Sequence, residues 1–131
     1  MLLFKCQSFF PISEKISNNI TFPHGLLGVF ISNEAIINDG CTIFQQVTIG
    51  SNTLGDSKSK GAPIIGKNCF IGAGAKIIGN VKIGDNCRIG ANTTITKDIP
   101  ANSTVVGATF RIIAHAESID NTFVPVDKFK K

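Results

Sequence analysis

The chain predicts an all-β fold, a parallel β-helix, and three observations carry that expectation. Isoleucine recurs every six residues at Ile31, Ile37, Ile43 and Ile49, and again at Ile65, Ile71, Ile77, Ile83, Ile89 and Ile95. Four residues after each stands a small or β-branched residue: Ala35, Cys41, Val47 and Thr53, then Cys69, Ala75, Val81, Cys87, Thr93 and Ile99. Glycine follows the isoleucine at Gly50, Gly66, Gly72, Gly84 and Gly90, where a tight corner would use its permissive backbone. A period of six is neither the 3.6 of a helix nor the alternation of an ordinary strand. It marks short strands that each form one side of a coil, three hexapeptides to a turn.

Taken in order, residues 1–15 read as an N-terminal cap over the open end of the first coil, which would otherwise expose its core. The β-helix itself is expected over 16–106, in about four coils. A first break interrupts it early, where Phe22 to Ile31 spans nine residues instead of six and contains Pro23, His24, Gly25 and Gly28. A second follows Ile49: the sixteen residues to Ile65 equal one hexapeptide plus ten inserted residues. The insertion, SNTLGDSKSKGAP over 51–63, is rich in Gly, Ser, Lys and Asp and predicts a loop leaving the coil. Residues 107–131 read as a C-terminal cap or tail, and the whole chain as one domain. The two breaks matter most, because loops on a rigid scaffold tend to carry function.

Composition narrows the partners. No stretch approaches the length of a membrane span, and MLLFKCQSFF lacks the charged start of a signal peptide, so a cytoplasmic location is expected. The net charge of +4 suits an anionic ligand or mere solubility. Lys and Arg are scattered without interleaved aromatics, which argues against nucleic acid. The four cysteines contain no CxxC pair, and Cys41, Cys69 and Cys87 share the small inward position, one coil apart once the insertion is subtracted. They read as buried hydrophobes rather than metal ligands. A rung spacing of about 4.8 Å brings Cys69 and Cys87 within reach of a disulfide, while a reducing compartment favours free thiols.

Of two histidines, His115 lies beyond the repeats, and His24 sits in the first break with room to present its ring outside the coil. An imidazole, with an ordinary pKa of about 6.5, is the usual group for taking a proton from a hydroxyl at neutral pH. A surface histidine in a turn is the plain alternative.

The stretch PHGLLGVFISNEAIINDGCTIFQQVTIGSN, then the loop, then APIIGKNCFIGAGAKIIGNVKIGDNCRIGANTTITKDIPANSTVVG, resembles the hexapeptide-repeat O-acetyltransferases over about residues 16–112. Within them it is similar to the serine acetyltransferase branch, including short relatives encoded with capsule and O-antigen sugar pathways. The resemblance implies a left-handed coil, a homotrimer, and acetyl-CoA as co-substrate in a groove between adjacent columns, without a catalytic metal. It implies His24 as general base. It places Ala73 and Ala91 along the pantetheine, and the Gly50 and Ser51 amides beside the thioester, where they would stabilise an oxyanion. Lys97 and Arg111 would meet the CoA phosphates.

The departures from that pattern bear on the acceptor. Pro23 stands where the family carries an acid, and Ala62 stands where a second histidine precedes the proline after the loop. Ala108, Thr109 and Phe110 replace the usual closing motif, and the carboxylate that would orient His24 has no clear match, with Glu34 and Asp39, of the same or another subunit, as alternatives. The missing second histidine, which helps bind an amino acid, points to a sugar hydroxyl in surface polysaccharide synthesis. Serine acetylation in cysteine synthesis, or a non-catalytic trimeric scaffold, are the competing readings. The four phenylalanines Phe22, Phe30, Phe44 and Phe70 exceed what a narrow column can hold, which predicts that some cover a neighbouring chain.

Overall fold

The computed structural model describes residues 8–11, 13–107 and 111–123. Most of the expected N-terminal cap and the end of the tail, with the Ala108–Phe110 departure, lie outside the described residues. Among the described residues, twelve short strands wind into three faces. The first face stacks β1 (Phe30–Ile31), β4 (Thr48–Gly50), β7 (Lys76–Ile78) and β10 (Thr94–Ile95). The second stacks β2 (Ile36–Ile37), β5 (Ile64–Ile65) and β8 (Lys82–Ile83). The third stacks β3 (Thr42–Ile43), β6 (Phe70–Ile71), β9 (Arg88–Ile89) and β11 (Ser103–Val106), and ends in β12 (Arg111–Ala114). All pairings are parallel except β11 with β12, which turns back antiparallel and closes the column.

Register follows from the repeat. Ile31 faces Ile49, Ile49 faces Ile77 and Ile77 faces Ile95, while Ile43, Ile71, Ile89 and Val105 form the matching stack on the third face. All ten isoleucines point inward and are at most 1 % exposed. Each fully buried aliphatic side chain contributes about 1.5–3 kcal/mol relative to exposure, so the stack is the main source of cohesion. Single bridges from Phe9 to Phe30, Ile16 to Ile37 and Thr21 to Thr42 add a first rung before β1. Each of these pairs is offset by 21 residues, against 18 between Phe30 and Thr48. The extra three residues fall between Thr21 and Phe30, the segment that holds His24.

Thr53, one of the expected inward residues, is exposed in the inserted loop, and the buried Pro63 fills the inward position before Ile65 instead. Asn52 and Gly61 exchange backbone hydrogen bonds of 2.8 and 2.9 Å at the loop's neck, so the insertion leaves and rejoins the column at one point. The five glycines after the isoleucines differ from expectation in their reason. None of them has a positive φ; the left-handed positions fall elsewhere, at Gly74 and at asparagines such as Asn68, Asn86 and Asn92. What Gly66, Gly72 and Gly84 need is space. A Cβ on Gly72 would lie 2.7 Å from the Ala91 nitrogen, and one on Gly84 2.3 Å from that of Ala101.

Cys41, Cys69 and Cys87 are buried free thiols, each 3.2 Å from a carbonyl oxygen of the next coil (Gly66, Gly84 and Pro100). Hydrogen bonding to the Cys41 and Cys87 thiols, with burial added, pushes the Cys69 thiol up.

Candidate active site

The corner that joins the third face to the first gathers most of the expected site. In the first rung it carries the three extra residues and His24; in the next rungs it carries Gln45 and Gln46, then Ala73 and Gly74, then Ala91 and Asn92. Backbone bonds tie these turns into a ladder: Gln46 N–H to Leu27 O at 2.9 Å, Gly74 to Gln45 at 3.0 Å, and Asn92 to Ala73 at 2.9 Å. The Lys76 ammonium adds a staple, donating to the Gln46 and Gly74 carbonyls at 2.9 Å each.

His24 is exposed and held on two sides. Its Nδ1 lies 2.7 Å from Gln45 Oε1, and its ring meets Phe44 edge-on, with centroids 5.4 Å apart. An amide oxygen only accepts, so in this pairing Nδ1 carries the proton and Nε2 keeps its lone pair. That is the tautomer a general base requires. Within one chain neither Glu34 nor Asp39 is paired with His24: Glu34 pairs with Lys15 at 2.6 Å, and Asp39 accepts the Ser17 hydroxyl. Gln45 was hidden in the sequence within FQQVTIG, because only the three-residue slack at the first break brings its rung under His24.

From Phe44 the site continues into a groove. Phe44 packs on Phe70 at 5.1 Å, and both line a largely apolar cleft of about 420 Å³ with Gly72, Ala73, Ala91, Arg88, Thr104 and Val106. Ala73 and Ala91 therefore share one groove that reaches toward His24 through Phe44. Among the described residues the amides of Ala73 and Ala91 donate no hydrogen bond. Arg111 stands opposite Val106 on β12, one strand beyond the groove wall.

The remaining expected residues occupy another edge. Gly50 ends β4 opposite Ile78, and Ser51 follows, its hydroxyl bonded to that of Ser32. Lys97 follows β10 at the corresponding corner, leading to Ile99 on the second face. Within one chain, His24, Ala73, Ala91 and Arg111 gather around one corner, and Gly50, Ser51 and Lys97 lie around the next. Ala62 stands half-exposed at the base of the loop beside Pro63.

Comparisons with known proteins agree with this architecture. Residues 62–97 match the bacterial transferase hexapeptide family, described by six repeats. The serine acetyltransferase of Synechococcus elongatus is 37% identical over 115 residues, covering 85% of this chain and 46% of that one. Among solved structures, soybean serine acetyltransferase complexed with serine superposes with a TM-score of 0.67 at 35% identity, covering 76% of this chain and 40% of that one. The serine acetyltransferase of Brucella abortus in complex with coenzyme A gives 0.66 at 33% identity, with 76% and 39% covered. The chain thus spans less than half the length of these relatives. It is a left-handed hexapeptide-repeat β-helix, matching the bacterial transferase hexapeptide family over residues 62–97 and similar over most of its length to serine acetyltransferases.

Proposed function

We propose that the chain is an acetyl-CoA-dependent O-acetyltransferase in which His24 is the general base. The observation that carries this reading is the 2.7 Å contact of His24 Nδ1 with Gln45 Oε1, together with a groove that begins at the histidine's own packing partner, Phe44. An extended, narrow donor fits that groove because Ala73 and Ala91 leave the backbone accessible, and their unengaged amides can serve its polar links. Nε2 of His24 accepts the proton of the acceptor hydroxyl as its oxygen bonds to the thioester carbonyl carbon. The tetrahedral intermediate then expels the thiolate, which takes the proton from the imidazolium. No acyl-enzyme is required when both substrates share one cleft, and proximity contributes much of the acceleration.

Serine is the acceptor better supported by the comparisons, since the relatives are serine acetyltransferases and one is solved with serine. This revises the expectation of a sugar in surface polysaccharide synthesis, for which similarity offers no support. One observation still favours the sugar: Ala62 offers no side-chain donor at the base of the loop. The active unit is a homotrimer, because the two groups of residues lie around different corners of one chain and adjacent columns would face them across a cleft.

Thiol release from acetyl-CoA, measured with serine and with a panel of nucleotide-activated sugars, tests the reading. The expected result is release with serine that falls by about 10² to 10⁴ in His24→Asn, with CoA affinity unchanged. Faster release with a sugar overturns the serine assignment. A rate untouched by His24→Asn overturns the role of His24 as base, and no release with any acceptor leaves the scaffold reading in place of the enzyme.

A further inference from the structure

Arg88 is the charged residue in the wall of an otherwise apolar groove, and the chain's own tail fixes its head. Its stem lies on the outer side of the third face, between Phe70 and Thr104 in register. Its Nε donates to Asn121 Oδ1 at 2.8 Å and its Nη2 to the Asp120 carbonyl at 2.9 Å. Asn121 is itself buried at 8 % exposure, and its Nδ2 donates to the Asn68 carbonyl at 2.6 Å and reaches the Cys87 carbonyl at 3.4 Å. One side chain of the tail thus spans two rungs and grips the guanidinium.

The grip is made with neutral acceptors. The Asp120 carboxylate accepts from the Thr122 amide at 2.9 Å, and among the described residues the ion pair within 4 Å is Lys15 with Glu34. A guanidinium has five N–H donors in a planar fork. Two are spent on the tail, so three remain; the Asp120 carboxylate feels the guanidinium's charge but makes no ion pair with it within 4 Å. A fork immobilised in this way has already lost its rotamer freedom, which lowers the cost of gripping a planar or tetrahedral oxyanion.

The geometry points to Arg88 as an anion-binding residue at the rim of the groove, taking a phosphate of the acyl donor, with Asn121 as the positioning residue that presents it. This inference rests on the groove being the donor site. It gives the tail, which follows no repeat, a part in building that site. It also adds a cation to Lys97 and Arg111 on an independent observation.

Calorimetric binding of CoA and of pantetheine, which carries the same arm without phosphate, provides the test. Arg88→Gln should weaken CoA by about tenfold, in the range of a charge-assisted hydrogen bond, and leave pantetheine unchanged. Arg88→Lys should fail to restore CoA binding fully, because an ammonium lacks the fork. Asn121→Ala should raise the KM for acetyl-CoA while kcat and pantetheine affinity hold, a split that general destabilisation would not give. Equal losses for both ligands, or no loss of CoA affinity in Arg88→Gln, overturn the proposal while leaving the groove as the donor site. Failure of the wild-type chain to bind CoA overturns both.

Discussion

His24 is held by its neighbours more than by its own position on a turn. A ring on a turn is free to rotate, and here one hydrogen bond to Gln45 and one edge contact with Phe44 remove that freedom. Gln45→Leu should therefore keep the fold and lower the turnover rate. The expected loss is up to about tenfold, since a net hydrogen bond is worth about 0.5–1.5 kcal/mol. Steady-state rates beside a thermal melt check this, and a rate drop matched by a drop in melting temperature would argue for a structural role instead. His24 was legible in the sequence because proline, glycine and a broken period surround it. Its partner was not, since a glutamine between a phenylalanine and a second glutamine carries no signal until the coil is wound and the rungs are aligned. The carboxylates Glu34 and Asp39 drew attention for their chemistry, yet Lys15 and Ser17 occupy them.

At the scale of the strand and its corner, the hexapeptide period encoded both register and burial, because each isoleucine can stack only on another. The reason for glycine at the corners was not legible, since one residue type answers two needs. Gly74 needs its φ of 71°, while Gly72 needs the 2.7 Å that a Cβ would close against the Ala91 nitrogen. Gly72→Ala should therefore destabilise by about 1–3 kcal/mol, as overpacking does. It should also disturb the groove, because Ala91 must shift. Gly55→Ala, in the open loop with nothing near its Cβ, should leave the melting temperature unchanged. The cysteine stack yields a second expectation. With its thiol pushed up by the flanking thiols and by burial, Cys69 stays protonated, and only the thiolate reacts readily. Alkylation followed by mass spectrometry should find Cys69 unlabelled in the folded protein and labelled after denaturation.

For the whole molecule, the proposed site divides between two corners of one column. The His24 corner carries the proposed base and the groove, whereas Gly50, Ser51 and Lys97 stand at the next corner. Exposed apolar side chains agree that the flank is meant to be covered: Leu27 is 55 % exposed beside the His24 turn, Phe30 45 %, and Leu54 66 % on the protruding loop. A sequence displays such residues as an excess of phenylalanine and leucine, but it cannot say which corner meets which. If each cleft joins the His24 corner of one chain to the Gly50–Lys97 corner of the next, light scattering should give about three times the 13.9 kDa of the chain. Subunit mixing then separates a shared site from a mere aggregate. His24→Asn is inactive at one corner, and a chain with Gly50→Val and Lys97→Glu is impaired at the other. Mixed in equal amounts through unfolding and refolding, the two should regain about a quarter of wild-type activity. In a closed ring of three that is the fraction of clefts in which an intact corner of one variant faces the intact corner of the other. Activity no greater than the sum of the separate variants would mean that each chain holds its whole site, and that the groove beside Ala73 and Ala91 serves its own His24 unaided.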